Sequence, residues 1–146
     1  LTVFFSIGIF MTYIGGLLGD KFGPIKIIRL SLLVWLPAMF LLTEVPNFSP
    51  LIMMPVAYLL LLMIGAAKAI SYSPVIVLGQ TYLAKSIGFA SGITLGVSQT
   101  IGGVIAPVVG NLADTYSLPV AMMTLVPFLI GGLGASLLLK DPKKLQ

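Results

Sequence analysis

The chain has 146 residues, 58% hydrophobic and only 8% charged, with a net charge of +4 and a mean hydropathy of +1.13. Soluble domains carry roughly 25% charged residues, so this chain cannot cover itself with a polar surface in water, and lipid is its natural solvent. With no cysteine, no histidine and no paired-carboxylate motif, it offers no disulfide, no thiolate or histidine metal site and no hydrolase-type centre, and it implies no enzyme and no cofactor.

A bilayer core of ~30 Å takes about 20 apolar residues per helix, so the length suffices for about five spans and little else. The chain opens at Leu1 inside an apolar stretch, without the basic start or small-residue cleavage site of a signal peptide, as a fragment beginning mid-protein would. Residues 1–18 form the first predicted span, closed by Gly16-Leu17-Leu18-Gly19-Asp20-Lys21-Phe22-Gly23. Residues 25–42 form the second, entered through Pro24, whose missing N–H costs nothing in a first turn. Glu44 to Pro50 is a short loop marked by Pro46, Asn47 and Pro50. Residues 51–82 are apolar throughout, and as one helix they would reach about 48 Å. Tilt, a kink near Pro74 or a non-helical end must absorb the excess. Residues 86–113 and 118–139 complete the set, and 140–146 form a polar tail.

The basic residues orient these spans. Lys21, Lys26 and Arg29 follow the first, Lys85 the third, and Lys140, Lys143 and Lys144 the fifth, whereas the loops at Glu44 and Asp114 hold no Lys or Arg. Such segregation reads as cytoplasmic against external, with a cytoplasmic C-terminus. Adding or removing one span would scramble it.

Sliding the chain by 94 residues brings Leu1, Val3, Ile7, Gly8, Gly16, Leu18 and Asp20 onto identical residues at Leu95, Val97, Ile101, Gly102, Gly110, Leu112 and Asp114. The two glycine-acid corners fall on opposite sides of the derived topology, so the repeat is inverted, as in transporters built from duplicated helical units. Chance likeness between Gly- and Leu-rich helices is the competing account.

Gly16 to Gly23 resembles the signature loop of the major facilitator superfamily, G-x-L-x-D-[R/K]-x-G, in the copy between the eighth and ninth helices. The stretch from Gln80 to Asp114, with Gly88-Phe89-Ala90-Ser91-Gly92, Ile101-Gly102-Gly103 and Ala106-Pro107, is similar to helices ten to eleven of the fosmidomycin-resistance branch. Departures exist: Pro24 and Ile25 replace the usual basic pair, and Thr81 and Ala84 stand near positions typical of a carboxylate and a proline. The resemblance implies an all-α membrane protein, namely five transmembrane helices from the C-terminal six-helix bundle of a twelve-helix carrier in a bacterial or archaeal inner membrane. It further implies alternating-access transport of a small molecule, with proton-driven drug or antibiotic efflux as the branch's activity. The implied partners are the lipid bilayer, a small-molecule substrate, protons and an N-terminal half of the same protein, with no nucleic acid.

Within that family the signature aspartate caps a helix N-terminus of the opposite half and locks a gate, where a carboxylate meets unpaired N–H groups. The resemblance transfers that role to Asp20, with Gly16, Lys21, Gly23 and Arg29 around it; a solvated turn is the plainer account. Gly88, Gly92 and Gly96, with Gly103 and Gly110, keep small residues on one drifting helix face, suited to close helix packing or to sliding between two states. Gln99 stands mid-span, where an amide must face protein or water, as a substrate contact or an interhelical hydrogen bond. Lys68 is the one charge inside a span, with Tyr72 a turn further along the same face. Together they suit an anionic cargo or a carboxylate from elsewhere, unless the lysine snorkels to the headgroups. No span interior contains a carboxylate, so a proton-carrying acid would have to come from beyond these spans. Uptake of an organic anion and a non-transporting scaffold or sensor are the alternatives.

Overall fold

The computed structural model describes residues 2–45 and 49–139. Leu1, the loop residues 46–48 and the tail from Lys140 lie outside this range. Six α-helices follow in order: α1 (Thr2–Phe22), α2 (Pro24–Glu44), α3 (Pro50–Tyr82), α4 (Ile87–Thr115), α5 (Leu118–Met123) and α6 (Val126–Leu138). No strand occurs among the described residues.

Local chemistry sets the breaks. Gly23 takes φ 95°, a value that only glycine adopts cheaply, and its N–H closes α1 on the Gly19 carbonyl at 2.9 Å. Pro24 then opens α2 at once. The long third segment is one uninterrupted helix of 33 residues through Pro55 and Pro74, so a non-helical end is not how its length is absorbed. The fifth segment, expected as a span over 118–139, is one helical stretch from Leu118 to Leu138 interrupted by a turn. Pro127 has no N–H to give the Met123 carbonyl, and its ring crowds that carbonyl; α5 accordingly stops at Met123. Thr124 and Leu125 form a turn, in which Leu125 donates to Met122 at 3.1 Å and the Thr124 hydroxyl donates to Ala121 at 2.7 Å.

Packing fixes the direction of each helix. Ile25 and Ile28 of α2 pack on Leu78, near the end of α3, while Ala38 and Leu42 pack on Leu60, near its start, so α2 and α3 are antiparallel. Gly15, Gly16 and Gly19 of α1 meet Ile70, Ser73 and Pro74 in ascending order, so α1 and α3 are parallel. Gln80 donates to Ser91 at 2.9 Å and Gly79 faces Thr94, which makes α4 antiparallel to α3. Asp20 and Asp114 therefore close helices that run in opposite senses, as an inverted repeat requires.

One long-range contact joins the start of α2 to the end of α6. Arg29 donates through Nε (3.1 Å) and a terminal guanidinium nitrogen (2.7 Å) to the Ser136 carbonyl, and at 3.3 Å to that of Leu137. A helix C-terminus presents unpaired carbonyls and partial negative charge, so this is a charge-assisted cap. It also places the two ends on one side of the array.

The tightest junction lies between α1 and α3. Pro74 removes the N–H that would occupy the Ile70 carbonyl, and α1 meets that carbonyl with a residue lacking a side chain. A β-carbon on Gly15 would collide with the Ile70 oxygen, and one on Gly19 would lie 3.2 Å from the buried Pro74 ring. Outside the small cores, large apolar side chains such as Phe10, Leu30, Val104 and Phe128 are mostly exposed. In water such a surface would aggregate; toward acyl chains it costs nothing.

Candidate functional site

Three places hold the residues singled out in the sequence. The first is the corner between α1 and α2. Asp20 and Lys21 are exposed there, and the Lys21 ammonium sits 5.4 Å from the centre of the Phe22 ring. No ion pair or hydrogen bond engages the Asp20 carboxylate among the described residues. Gly16 packs its backbone against Ser73 and Gly23 makes the turn. Arg29, expected as a neighbouring charge, turns instead toward the α6 carbonyls.

The second place is a cleft of about 1200 Å³ between α1, α2, α3 and the α5–α6 segment, open on one side, with Lys68, Tyr13, Tyr72 and Phe128 exposed. Lys68 and Tyr72 both line it, one helical turn apart on α3, and face Thr12 and Tyr13 of α1, Trp35 of α2 and Phe128 of α6. Most of the remaining lining is Leu, Ile and Met. Lys68 lies about 21 Å from the Tyr82 end of α3 and about 27 Å from its Pro50 end. With a ~30 Å bilayer core centred on such a helix, the ammonium sits near mid-depth, farther from either headgroup layer than a lysine stem reaches. The Thr12 hydroxyl is occupied by the Gly8 carbonyl at 2.9 Å. The Trp35 indole N–H is buried without an acceptor, and no hydrogen bond engages Lys68 Nζ or the Tyr13 and Tyr72 hydroxyls among the described residues.

The third place is α4, where the structure separates Gln99 from the Lys68 cavity. Gln99 is exposed, and its amide engages nothing among the described residues. A shallow furrow of about 430 Å³ runs beside it over Gly92, Gly96 and Thr100; all its walls belong to one helix, so it encloses nothing. Gly88, Gly92, Gly96, Gly103 and Gly110 have no atom within 4 Å of a built β-carbon. Among the described residues the close contacts at glycines run through Gly15, Gly16, Gly19 and Gly79; Gly16 and Gly19 belong to the signature loop, whereas Gly15 and Gly79 did not stand out in the sequence. Trp35 and Tyr13 did not stand out in the sequence either.

Four helical stretches among the described residues, Pro24–Glu44, Leu51–Tyr82, Ala84–Thr115 and Leu118–Leu138, are long and apolar enough to cross a bilayer. Together with the outward-facing apolar surface they define an all-α integral membrane protein. The chain is 33% identical over 141 residues, 97% of its length, to the uncharacterized MFS-type transporter YfnC of Bacillus subtilis (strain 168). It spans about a third (33%) of the length of that relative. This similarity supports the major-facilitator resemblance carried by the signature loop. No family model matches the chain, and no solved structure matches it.

Proposed function

We propose that this chain forms the C-terminal helices, eight to twelve, of a secondary transporter that moves a small molecule across the membrane by alternating access. The observation that carries the reading is the pairing of Lys68 and Tyr72 in a cleft at mid-helix depth, between four helical elements. A lone ionisable group at that depth is costly unless a cargo or a partner uses it. The relative's description as an MFS-type transporter points the same way.

Within this reading the primary activity is proton-driven export of a drug-like compound, whose apolar body suits the cavity walls. Asp20 then serves as the gate carboxylate, docking on a helix N-terminus that this chain does not supply. Asp20, Glu44 and Asp114 all stand at helix ends, so the proton-carrying acid belongs to the remainder of the protein. Uptake or exchange of an organic anion is the second reading, favoured by Lys68.

Counterflow in proteoliposomes containing the full-length gene product tests the proposal. Asp20→Asn and Lys68→Ala should each lower flux about tenfold or more, the loss of one charge-assisted contact. Flux indifferent to both substitutions removes the gate and the cavity assignments. A protein that inserts and folds but supports no flux of any probe is a scaffold or sensor.

A further inference from the structure

The two corners that the 94-residue offset aligns are built alike. Asp20 and Asp114 lie in the last turns of α1 and α4, and α2 and α5 each begin four residues later, at Pro24 and Leu118. Gly23 and Ser117 stand just before those starts, and a proline occupies one of the first two positions of both helices, Pro24 and Pro119. Both carboxylates are exposed. Because α1 runs parallel to α3 and α4 antiparallel to it, the corners sit at opposite ends of the array.

An acid at either place has the wrong sign for the helix that bears it, since a helix C-terminus carries partial negative charge. On α1 the neighbouring Lys21 offsets it. The last turn of α4 holds no basic residue, and Asp114 is the only charged residue between Lys85 and Lys140. The polar side chain next to it is engaged elsewhere, the Thr115 hydroxyl donating to the Asn111 carbonyl at 2.7 Å. Asp114 thus does nothing for its own helix.

We propose that Asp114 is a second latch carboxylate, closing the membrane face opposite to the one that Asp20 closes. This rests on the alternating-access reading and on the gate role given there to Asp20. The chemistry that complements such a carboxylate is a helix N-terminus, with its unpaired N–H groups and partial positive charge. Two latches of one build at opposite ends give each closed state its own contact, so that one opens as the other forms. Each contact is a small increment, which suits a bond broken in every cycle; a much stronger one would trap the carrier in one state.

The test uses the full-length gene product in proteoliposomes, with Leu61→Cys in the cleft as the sole reporter thiol and a membrane-impermeant maleimide applied from either side. The ratio of the two labelling rates reads the balance between the two open states. Asp20→Asn should shift that ratio about twofold to fivefold toward the Asp20 face, and Asp114→Asn by a similar factor toward the Asp114 face. The double variant should return to within about twofold of the parent ratio. Glu44→Gln, a carboxylate outside the repeated corner, should leave the ratio unchanged. Asp114→Asn should not lower the melting temperature, because it removes a charge unfavourable to α4. An unmoved ratio in Asp114→Asn overturns the inference, as does a shift in the same direction as Asp20→Asn, an equal shift in Glu44→Gln, or a fall in melting temperature without a shift. If Asp20→Asn still moves the ratio and counterflow persists in those cases, the transport reading stands alone. Labelling from one side only, with no counterflow of any probe, removes the alternating-access reading and the second latch with it.

Discussion

Two glycine-rich helices in this molecule use the same residue in opposite ways. On α1, Gly15, Gly16 and Gly19 are pressed against Ile70, Ser73 and Pro74 of α3, and a side chain at the first position would strike the main chain. On α4, Gly88, Gly92, Gly96, Gly103 and Gly110 face open space. Spacing alone ranks α4 as the better packing helix, with glycines every four and every seven residues. At Gly15, proximity to a freed carbonyl and not regular spacing is what requires the missing side chain. Pro74 releases the Ile70 oxygen, and Gly15 allows α1 to close over it.

The sharpest way to break this contrast is to add one methyl group at each place. Gly15→Ala should destabilise the fold by about 3 kcal/mol, because the obstruction is backbone and only a helix shift can relieve it. Reversible unfolding in mixed micelles, followed by far-UV circular dichroism, measures it. A cost near zero would mean that α1 and α3 are not in the contact described. The same methyl at Gly79 meets the Thr94 hydroxyl at 2.7 Å. A side-chain oxygen can rotate away, so Gly79→Ala should cost only about 1 kcal/mol on the same assay.

The Arg29 clasp tests a different part of the packing. Arg29→Ala leaves the Ser136 and Leu137 carbonyls without their donor and should cost about 1–2 kcal/mol, concentrated at the α6 terminus. Hydrogen exchange across residues 131–139 should accelerate, while exchange at the α1–α3 junction stays unchanged. Arg29→Lys should recover part of the loss, since an ammonium reaches one carbonyl at a time whereas guanidinium spans two. Uniform acceleration along the whole chain would show that Arg29 supports the bundle and not the cap.

These contrasts mark what the residues disclose by themselves. Hydropathy, Pro24 and Gly23 disclose the helices and the first turn, and the lysine pattern discloses the alternation of directions that the packing registers repeat. The break before Pro127 was legible in principle, because proline silences the bond to Met123, yet an unbroken apolar run concealed it. Lys68 and Tyr72 stand out because one charge in a greasy helix has few explanations. Trp35 and Tyr13 do not, since α1, α2 and α3 are apolar on nearly every side. Where no polar face exists, periodicity cannot say which side meets protein and which meets lipid. Arg29 and Ser136 lie 107 residues apart, and nothing local to either links them.

The smallest expected effects sharpen the comparison most. Ser91→Ala removes the acceptor of the Gln80 amide at a hydrogen-bonded junction between α3 and α4, and should cost about 0.6 kcal/mol, the average for such bonds between membrane helices. Gly92→Ala and Gly96→Ala, on the open face, should cost nothing in this chain and gain a few tenths of a kcal/mol from helix propensity. In the full-length gene product the same two substitutions become a probe for whatever lies beyond these helices. If they remain neutral there, the face meets lipid and the regular glycine spacing carries no packing role. A cost above about 1 kcal/mol, confined to Gly92 and Gly96 and absent at Gly8, would instead place a helix against α4. Its backbone would have to approach as closely there as α1 approaches α3 at Gly15.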